Sequence, residues 1–228
     1  MPTTLSSPPI GGLLIKNCKH ALLVANGDAQ SNLSALFQPS DFIIAVDGGL
    51  RHLRALDCFP DLLLGDLDSI TPEELQACQN HGVEILRFNP QKDESDLELA
   101  ILEALRRGFD CLTICNASGG RADHFLSNLA LLFHPALQNT RVILRDNTSL
   151  IYPVSQDFTL ALQPGDLISL IPWGGAAFGI RTSNLAYPLD GETLLPHQSR
   201  GLSNVALGDQ ISIHLQSGKL LLVHTPKK

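Results

Sequence analysis

Several features that define common classes of protein are scarce or missing in this sequence. Charged residues make up only 17% of the chain and the net charge is −7, so the basic footprint of a nucleic-acid-binding protein is absent. No apolar run reaches the length of a membrane-spanning helix. The N-terminal segment has no basic residue before its short apolar stretch, so we expect a loose tail there and not a signal peptide.

Cysteine is also used sparingly. The five cysteines are an odd number and form no C-x-x-C pair, which argues against a disulfide framework and against a zinc ribbon. We therefore interpret Cys18, Cys58, Cys78, Cys111 and Cys115 as buried thiols and expect a cytoplasmic protein.

The first part of the chain alternates strand-like and helix-like segments. Near-continuous apolar runs predict strands that are buried on both faces of a parallel sheet. They lie at residues 21–26, 42–47, 61–66, 83–88, 111–117 and 141–146. Capping residues and apolar spacing predict helices at residues 71–82 and 95–108.

Helical periodicity disappears after residue 147, where short apolar segments alternate with turn signals such as "QPGD" and "QSGK". The predicted strands there are residues 149–154, 157–162, 166–173, 209–216 and 219–224. We therefore predict an α/β fold with two domains. A mostly parallel α/β sandwich spans residues 1–147, and an all-β sandwich spans residues 148–228.

Polar residues collect where the predicted parallel strands end, at the edge where such sheets bind ligands. Asn26, Asp47 and the pair Asp66 and Asp68 each follow a strand. Two carboxylates as close as those of "GDLDS" repel each other unless a positive group lies between them. Together with Asp93 and Asp96, they offer the oxygen ligands that Mg²⁺ prefers, usually beside a substrate phosphate.

The segment "ASGGRADH" follows another predicted strand. Gly119 and Gly120 would let the backbone approach an anion closely, and Arg121 would add a bidentate contact. His124 suits either acid–base work or the orientation of Asp123. No G-x-x-x-x-G-K-[ST] or G-x-G-x-x-G motif occurs. The sequence thus predicts a metal–nucleotide site of another kind.

Four short motifs occur in a specific order: "VDGG" (46–49), "GDLDS" (65–69), "DESD" (93–96) and "GGRADH" (119–124). In these motifs the chain resembles the thiamine pyrophosphokinase family. Ser95 and Ser118 stand where that family usually has threonine, and Asn116 replaces a frequent glycine.

The resemblance implies transfer of a pyrophosphoryl group from ATP to thiamine, an α/β domain that binds ATP and Mg²⁺, and a β-sandwich that binds thiamine. It also implies a homodimer with active sites at the subunit interface. Asp66, Asp68 and Asp96 would hold Mg²⁺ and, with Arg121, form the catalytic set. The residues expected to contact nucleotide or phosphate are Asn26, Asp47, Gly48, Gln91, Lys92, Ser95, Ser118, Gly119, Gly120, Arg121, Asp123 and His124. Those expected to contact thiamine are Trp173, Ser203 and Asn204.

Two other functions stay open at this point. The "DLDS" segment superficially resembles the nucleophile motif of Mg²⁺-dependent phosphatases that use an aspartate, although Gly65 interrupts the apolar run before it. A catalytically inactive module that binds nucleotide or thiamine is the other alternative.

Overall fold

The computed structural model describes residues 18–30, 33–38 and 41–227, so most of the predicted N-terminal tail lies outside the described residues. Within them the chain divides into two compact units, residues 18–152 and residues 153–227. The sequence placed the domain boundary between residues 147 and 148. In the structure, residues 148–152 belong to the first unit, where residues 150 and 151 pair with residues 145 and 144.

The first unit is built on a parallel sheet. Its strands are β1 (His20–Val24), β2 (Phe42–Val46), β3 (Leu62–Gly65), β4 (Glu84–Arg87), β5 (Cys111–Cys115) and β6 (Arg141–Arg145). They lie in the order β6-β5-β1-β2-β3-β4, with every adjacent pair parallel. The start of β7 (Leu150–Val154) pairs antiparallel with β6. The strands predicted for this region are confirmed.

Both faces of this sheet are covered, since successive side chains such as Leu22 and Leu23, which point to opposite faces, are both fully buried. The helices are α1 (Leu50–Arg54), α2 (Pro72–Asn80), α3 (Asp96–Arg106) and α4 (Ala122–Leu131). Thr71 and Glu74 form a capping box at the start of α2. The predictions of α2 and α3 are confirmed, whereas α1 and α4 were not predicted. None of the helices in the described part of the chain is long and apolar enough to cross a membrane.

The second unit contains antiparallel strands. They are β8 (Phe158–Ala161), β9 (Leu167–Pro172), β10 (Ala177–Ser183), β11 (Asp190–Leu194), β12 (Asn204–Val205), β13 (Gln210–His214) and β14 (Leu220–Thr225). Hydrogen bonds order them as β11-β10-β13-β8 and as β12-β9-β14. The predicted fold class, an α/β domain followed by a β-sandwich, is confirmed. The sequence did not predict β10, β11 or β12.

The interpretation of the cysteines as buried thiols is wrong for three of them. Cys18 and Cys111 form a disulfide with their Cα atoms 6.1 Å apart. Cys111 begins β5 opposite His20, and Cys18 comes two residues before His20, so strand pairing brings the two together. The remaining cysteines are free. Cys78 and Cys115 are buried as predicted, whereas Cys58 is only half-buried.

Candidate active site

A cleft of about 580 Å³ opens in the first unit, beyond the carboxyl ends of β1, β2, β3 and β5. This edge suits a ligand because β1 lies between β2 and β5, where the strand order reverses. Ten of the residues predicted for nucleotide, phosphate or metal line it. They are Asn26, Asp47, Asp66, Lys92, Ser95, Asp96, Gly119, Gly120, Arg121 and His124.

Three carboxylates form a group at this edge, which we call the acid group: Asp47, Asp66 and Asp68. One oxygen atom from each lies within 4.8 Å of the others. Asp47 is only 9% exposed, and its Oδ1 atom has no hydrogen-bond partner among the described residues. An unpaired buried carboxylate oxygen is costly, and three carboxylates this close repel one another, so the group favours a cation. Its members suit a divalent cation with oxygen ligands.

Gly65 permits the close approach of the two loops that form the acid group. Its φ of 152° is a conformation that other residues rarely adopt, and a Cβ atom there would lie 2.9 Å from the Cβ of Asp47. The loop continues with an Asx-type turn in which Asp68 N–H donates to Asp66 Oδ1 at 3.1 Å. The glycine that interrupts the apolar run of β3 is therefore needed for Asp47 and Asp66 to meet.

Asp96, which the sequence grouped with the metal ligands, has a different partner. Lys92 Nζ lies 2.7 Å from its Oδ1, and both side chains are largely shielded from solvent. Asp96 lines the same cleft but does not belong to the acid group. Ser95 caps α3, where its Oγ accepts from Glu98 N–H at 3.2 Å, so its hydroxyl proton is left to donate elsewhere. Asp47, which was expected to contact nucleotide, takes the third place in the acid group.

The loops after β1 and β5 are joined by backbone hydrogen bonds. Gly27 N–H donates to Asn116 O at 2.6 Å, and Asp28 N–H donates to Ser118 O at 2.8 Å. Asn116 is fully buried with a φ of 54°, and its Nδ2 donates to Asp28 O at 2.8 Å. Asparagine tolerates this left-handed backbone better than most residues do, and glycine accepts it freely. The replacement of a frequent glycine by Asn116 therefore preserves the loop.

Arg121 and Asp123 form an ion pair in the glycine loop. Arg121 donates from Nε to Asp123 Oδ1 at 3.1 Å and from Nη2 to Asp123 Oδ2 at 2.6 Å. His124 N–H also donates to Asp123 Oδ1. The hydrogen bond from Arg121 is the main cause that lowers the pKa of Asp123 to about 2. The fork that was expected to grip phosphate is thus engaged by a carboxylate, and the phosphate contact stays a prediction.

Five predicted residues do not line the cleft. Asp68 belongs to the acid group, and Asp123 pairs with Arg121. Ser118 Oγ donates to Asp146 Oδ1 at 2.6 Å. The others are Gly48, beside the Asn26 side chain, and Gln91, whose N–H donates to Asn89 Oδ1.

Sequence reasoning did not assign several polar residues that line the cleft. Arg51, Asp28, Ser69, Asn116 and Asn128 are among them. Arg51 could have been predicted from its position, because it follows Asp47 by four residues just after the end of a strand.

The residues predicted to contact thiamine lie in the second unit. Asn204 is buried, and its amide is bonded to backbone: Oδ1 accepts from the N–H groups of Tyr187 and Val205, and Nδ2 donates to Tyr187 O. Ser203 has a φ of 55°, and its N–H donates to Ser169 Oγ at 3.0 Å. Trp173 is half-buried at the end of β9. The Asn204 side chain thus holds the segment at Tyr187 against β12, and its thiamine contact stays a prediction.

Comparison with known proteins gives the same result for both units. Residues 33–144 match the family described as "Thiamin pyrophosphokinase, catalytic domain", and residues 156–220 match "Thiamin pyrophosphokinase, vitamin B1 binding domain". The chain belongs to the thiamine pyrophosphokinase family. The earlier resemblance in four motifs is thereby confirmed, and it extends into the β unit.

Individual members of the thiamine pyrophosphokinase family are similar over most of their length. The curated Thiamine pyrophosphokinase of Bacillus subtilis is 27% identical over 189 residues, covering 80% of this chain and 86% of that protein. A crystal structure of the B. subtilis protein has a TM-score of 0.82 at 25% identity and covers 92% of this chain and 100% of its own. Thiamin pyrophosphokinase from Candida albicans has a TM-score of 0.81 at 16% identity, covering 92% of this chain and 90% of its own, which shows a shared fold.

Proposed function

We propose that this protein transfers a pyrophosphoryl group from ATP to the hydroxyl group of thiamine, giving thiamine diphosphate and AMP. Family membership supports the reaction class. The observation that carries the proposal is the convergence of the four motif loops, 46–49, 65–69, 93–96 and 119–124, around one cleft that two members of the acid group, Asp47 and Asp66, line. Transfer of a phosphoryl-type group depends mainly on positioning and on neutralising charge, which such a cleft can supply.

The proposal includes a divalent cation, Mg²⁺, held by the acid group. The donor set fits, because Asp47, Asp66 and Asp68 offer only carboxylate oxygens and the buried Oδ1 of Asp47 has no other partner in the described part of the chain. When bound, the cation would supply positive charge to the phosphate oxygens of ATP. Asp96 pairs with Lys92 through Oδ1, so it would join this set through Oδ2.

The chain's own groups would hold the phosphates on the other walls of the cleft. Lys92 offers an ammonium group, and Ser95 offers a hydroxyl proton that its capping role leaves free. Gly119 and Gly120 expose backbone at the start of the glycine loop, where an anion can approach closely. Arg121 would bind phosphate after its ion pair with Asp123 breaks.

We also propose that the second unit binds thiamine, with Trp173, Ser203 and Asn204 as candidate contacts, and that the protein acts as a homodimer in the cytoplasm. The match of residues 156–220 to a vitamin B1 binding domain supports the thiamine assignment. Analytical ultracentrifugation of the full chain would test the dimer.

Product analysis tests the function. The full chain, in excess over ATP, is mixed with ATP, Mg²⁺ and thiamine. The products of this single turnover are identified by nucleotide chromatography and mass detection. We expect AMP and thiamine diphosphate in equal amounts without a thiamine monophosphate intermediate. Formation of ADP with thiamine monophosphate would contradict the proposed bond cleavage.

Two further measurements, phosphatase activity and ligand binding, separate the two alternatives, neither of which the family assignment favours. A phosphatase would release inorganic phosphate from simple phosphate esters in the absence of thiamine. An inactive module would bind ATP or thiamine and form no product.

A further inference from the structure

The cationic side chains that line the cleft differ in how their charge is balanced. Lys92 is paired with Asp96, and Arg121 is paired with Asp123. Arg51 lines the same cleft, but within the described residues it makes no ion pair with a carboxylate. Its charge is therefore the one among these three side chains that has not already been compensated by a neighbouring acid.

Backbone carbonyls hold the guanidinium group of Arg51 in place. Its Nη2 donates to Asn26 O at 3.1 Å and to Gly27 O at 2.9 Å. Carbonyl oxygens orient the group without neutralising it, because they carry no formal charge. The exposed side chain is thus tethered at the carboxyl end of β1. A guanidinium group fixed in this way loses little conformational freedom when it binds an anion.

The neighbouring histidine leaves part of the guanidinium group without an acceptor. His52 Nε2 lies 3.0 Å from Gly27 O, which can only accept, so Nε2 must carry the proton. It therefore cannot accept from Arg51 Nε, which lies 3.4 Å away. Burial lowers the pKa of His52, which favours the neutral ring. Arg51 Nε–H is directed at this ring, so the donor of Arg51 that is available in the described structure is Nη1.

Arg51 also lies near the acid group along the chain. A 3₁₀ turn, Asp47–Gly49, leads directly into α1, so Arg51 follows Asp47 by four residues, and both line the cleft. A polyphosphate bound to a cation at Asp47 would then lie near the positive side chain of Arg51, which lines the same cleft. Hydrogen bonds between a guanidinium group and phosphate oxygens are among the stronger polar contacts in proteins.

We infer that Arg51 binds the polyphosphate chain of the nucleotide through its Nη1 group, as a phosphate-binding residue additional to the 119–124 loop. This inference rests on the proposed function, in which a nucleoside triphosphate occupies the cleft. It assigns a contact to a residue outside the four motifs.

Calorimetric binding measurements on the full chain with Mg²⁺ and without thiamine test this contact. The probes are inorganic triphosphate, ATP and adenosine, and the variants are Arg51→Gln and Arg51→Lys. We expect Arg51→Gln to bind triphosphate and ATP about 10- to 100-fold more weakly and to bind adenosine as the wild type does. Arg51→Lys should recover part of the loss, because it restores the charge but not the planar group.

Arg54→Gln is the matched control. Arg54 is one turn further along the same segment, but its guanidinium lies over the Phe59 ring at 3.9 Å and does not line the cleft. It should leave triphosphate binding unchanged. Wild-type affinity of Arg51→Gln for triphosphate would overturn the inference, as would a wild type that binds no triphosphate.

A purely structural role for Arg51 predicts a different result, which would also overturn the inference. Loss of its bonds to Asn26 and Gly27 alone would weaken adenosine and triphosphate binding together, lower the unfolding temperature, and not be rescued by lysine. The proposed function can fail separately. A wild type that binds ATP but forms no AMP would refute the transfer reaction, while the triphosphate result would still decide the role of Arg51.

Discussion

The acidic side and the glycine-loop side of the cleft handle charge in opposite ways. On the acidic side, Asp47, Asp66 and Asp68 lie close together, and Asp47 carries a buried oxygen without a partner in the described chain. On the other side, Arg121 and Asp123 neutralise each other while remaining 71% and 64% exposed. The acidic side is therefore where we propose a cation, whereas the side chains of the glycine loop are already balanced. We expect substitutions on the acidic side to have the larger effects on activity.

Removal of one charge from the acid group should have the largest effect. We expect Asp66→Asn and Asp68→Asn each to lower kcat at least about 100-fold, because even indirect supports of a metal site contribute 10- to 100-fold. The unfolding temperature measured in EDTA should not fall, since the substitution relieves repulsion among carboxylates. Steady-state kinetics over a Mg²⁺ titration, combined with thermal unfolding, checks both expectations.

Asp57→Asn is the control for that experiment, because Asp57 has a φ of 52° that asparagine tolerates and does not line the cleft. It should behave as the wild type. If both acid-group variants keep near-wild-type activity at saturating Mg²⁺, the cation site is not where we place it.

Gly65→Ala should disturb the acid group without changing its charge. The added Cβ would lie 2.9 Å from the Cβ of Asp47, at a φ that L residues rarely adopt. We expect a loss of about 1–3 kcal/mol in the free energy of unfolding, together with reduced activity. Denaturant unfolding and kinetics measure the two effects.

Gly82→Ala provides the comparison, because Gly82 has a φ of 73° but no atom within 4 Å of an added Cβ. It should cost about 1–2 kcal/mol and leave kcat unchanged. Equal loss of activity in both variants would mean that general destabilisation, and not the approach of Asp47, explains the effect.

On the glycine-loop side, Arg121→Lys should have a moderate effect. Lysine keeps the charge but cannot make the two parallel hydrogen bonds that Arg121 now makes with Asp123. We expect kcat/KM for ATP to fall several-fold, less than for Asp66→Asn. Full activity would show that Arg121 acts only as a point charge. If Arg121→Lys loses as much activity as the acid-group variants do, the two sides of the cleft do not differ in the way we propose.

The smallest expected effect concerns pH. The pKa of Asp123 is lowered to about 2, so the ion pair with Arg121 is fully present above the usual aspartate value near 3.8 and is lost only as the pH falls through about 2. Asp123→Asn should therefore leave the shape of the pH–rate profile unchanged between pH 5 and pH 8, whatever its effect on the rate. A shifted acidic limb in this range would show that Asp123 titrates in the functional enzyme.

The sequence predicts the parts of this fold that depend on local patterns. Continuous apolar runs identify the buried strands, and Thr71 and Ser95 mark two helix starts. Helix α1 has only five residues, and α4 starts after Arg121, which forms no side-chain cap, so neither gives a clear signal. Strand β10 is interrupted by Gly179 with a φ of 63°, which hides its alternation.

Pairings between charged side chains are harder to predict. The sequence placed acids and glycines at the correct edge of the sheet, because parallel strands deliver their carboxyl ends together. It could not show that Asp96 would pair with Lys92, or that Arg121 would be engaged by Asp123, because several partners of opposite charge were available nearby. The choice depends on side-chain geometry that composition and spacing do not contain.

The left-handed backbone at Asn116 has a consequence for judging divergent sequences. At this position the loop requires a backbone φ of 54°, which both asparagine and glycine allow, although glycine would lack the hydrogen bond from Asn116 Nδ2 to Asp28 O. An exchange of glycine and asparagine here is therefore not a sign of a decayed site, whereas a β-branched residue would be. When relatives as distant as 27% identity are compared, compatibility with this torsion angle is a sounder criterion of an intact loop than matching letters.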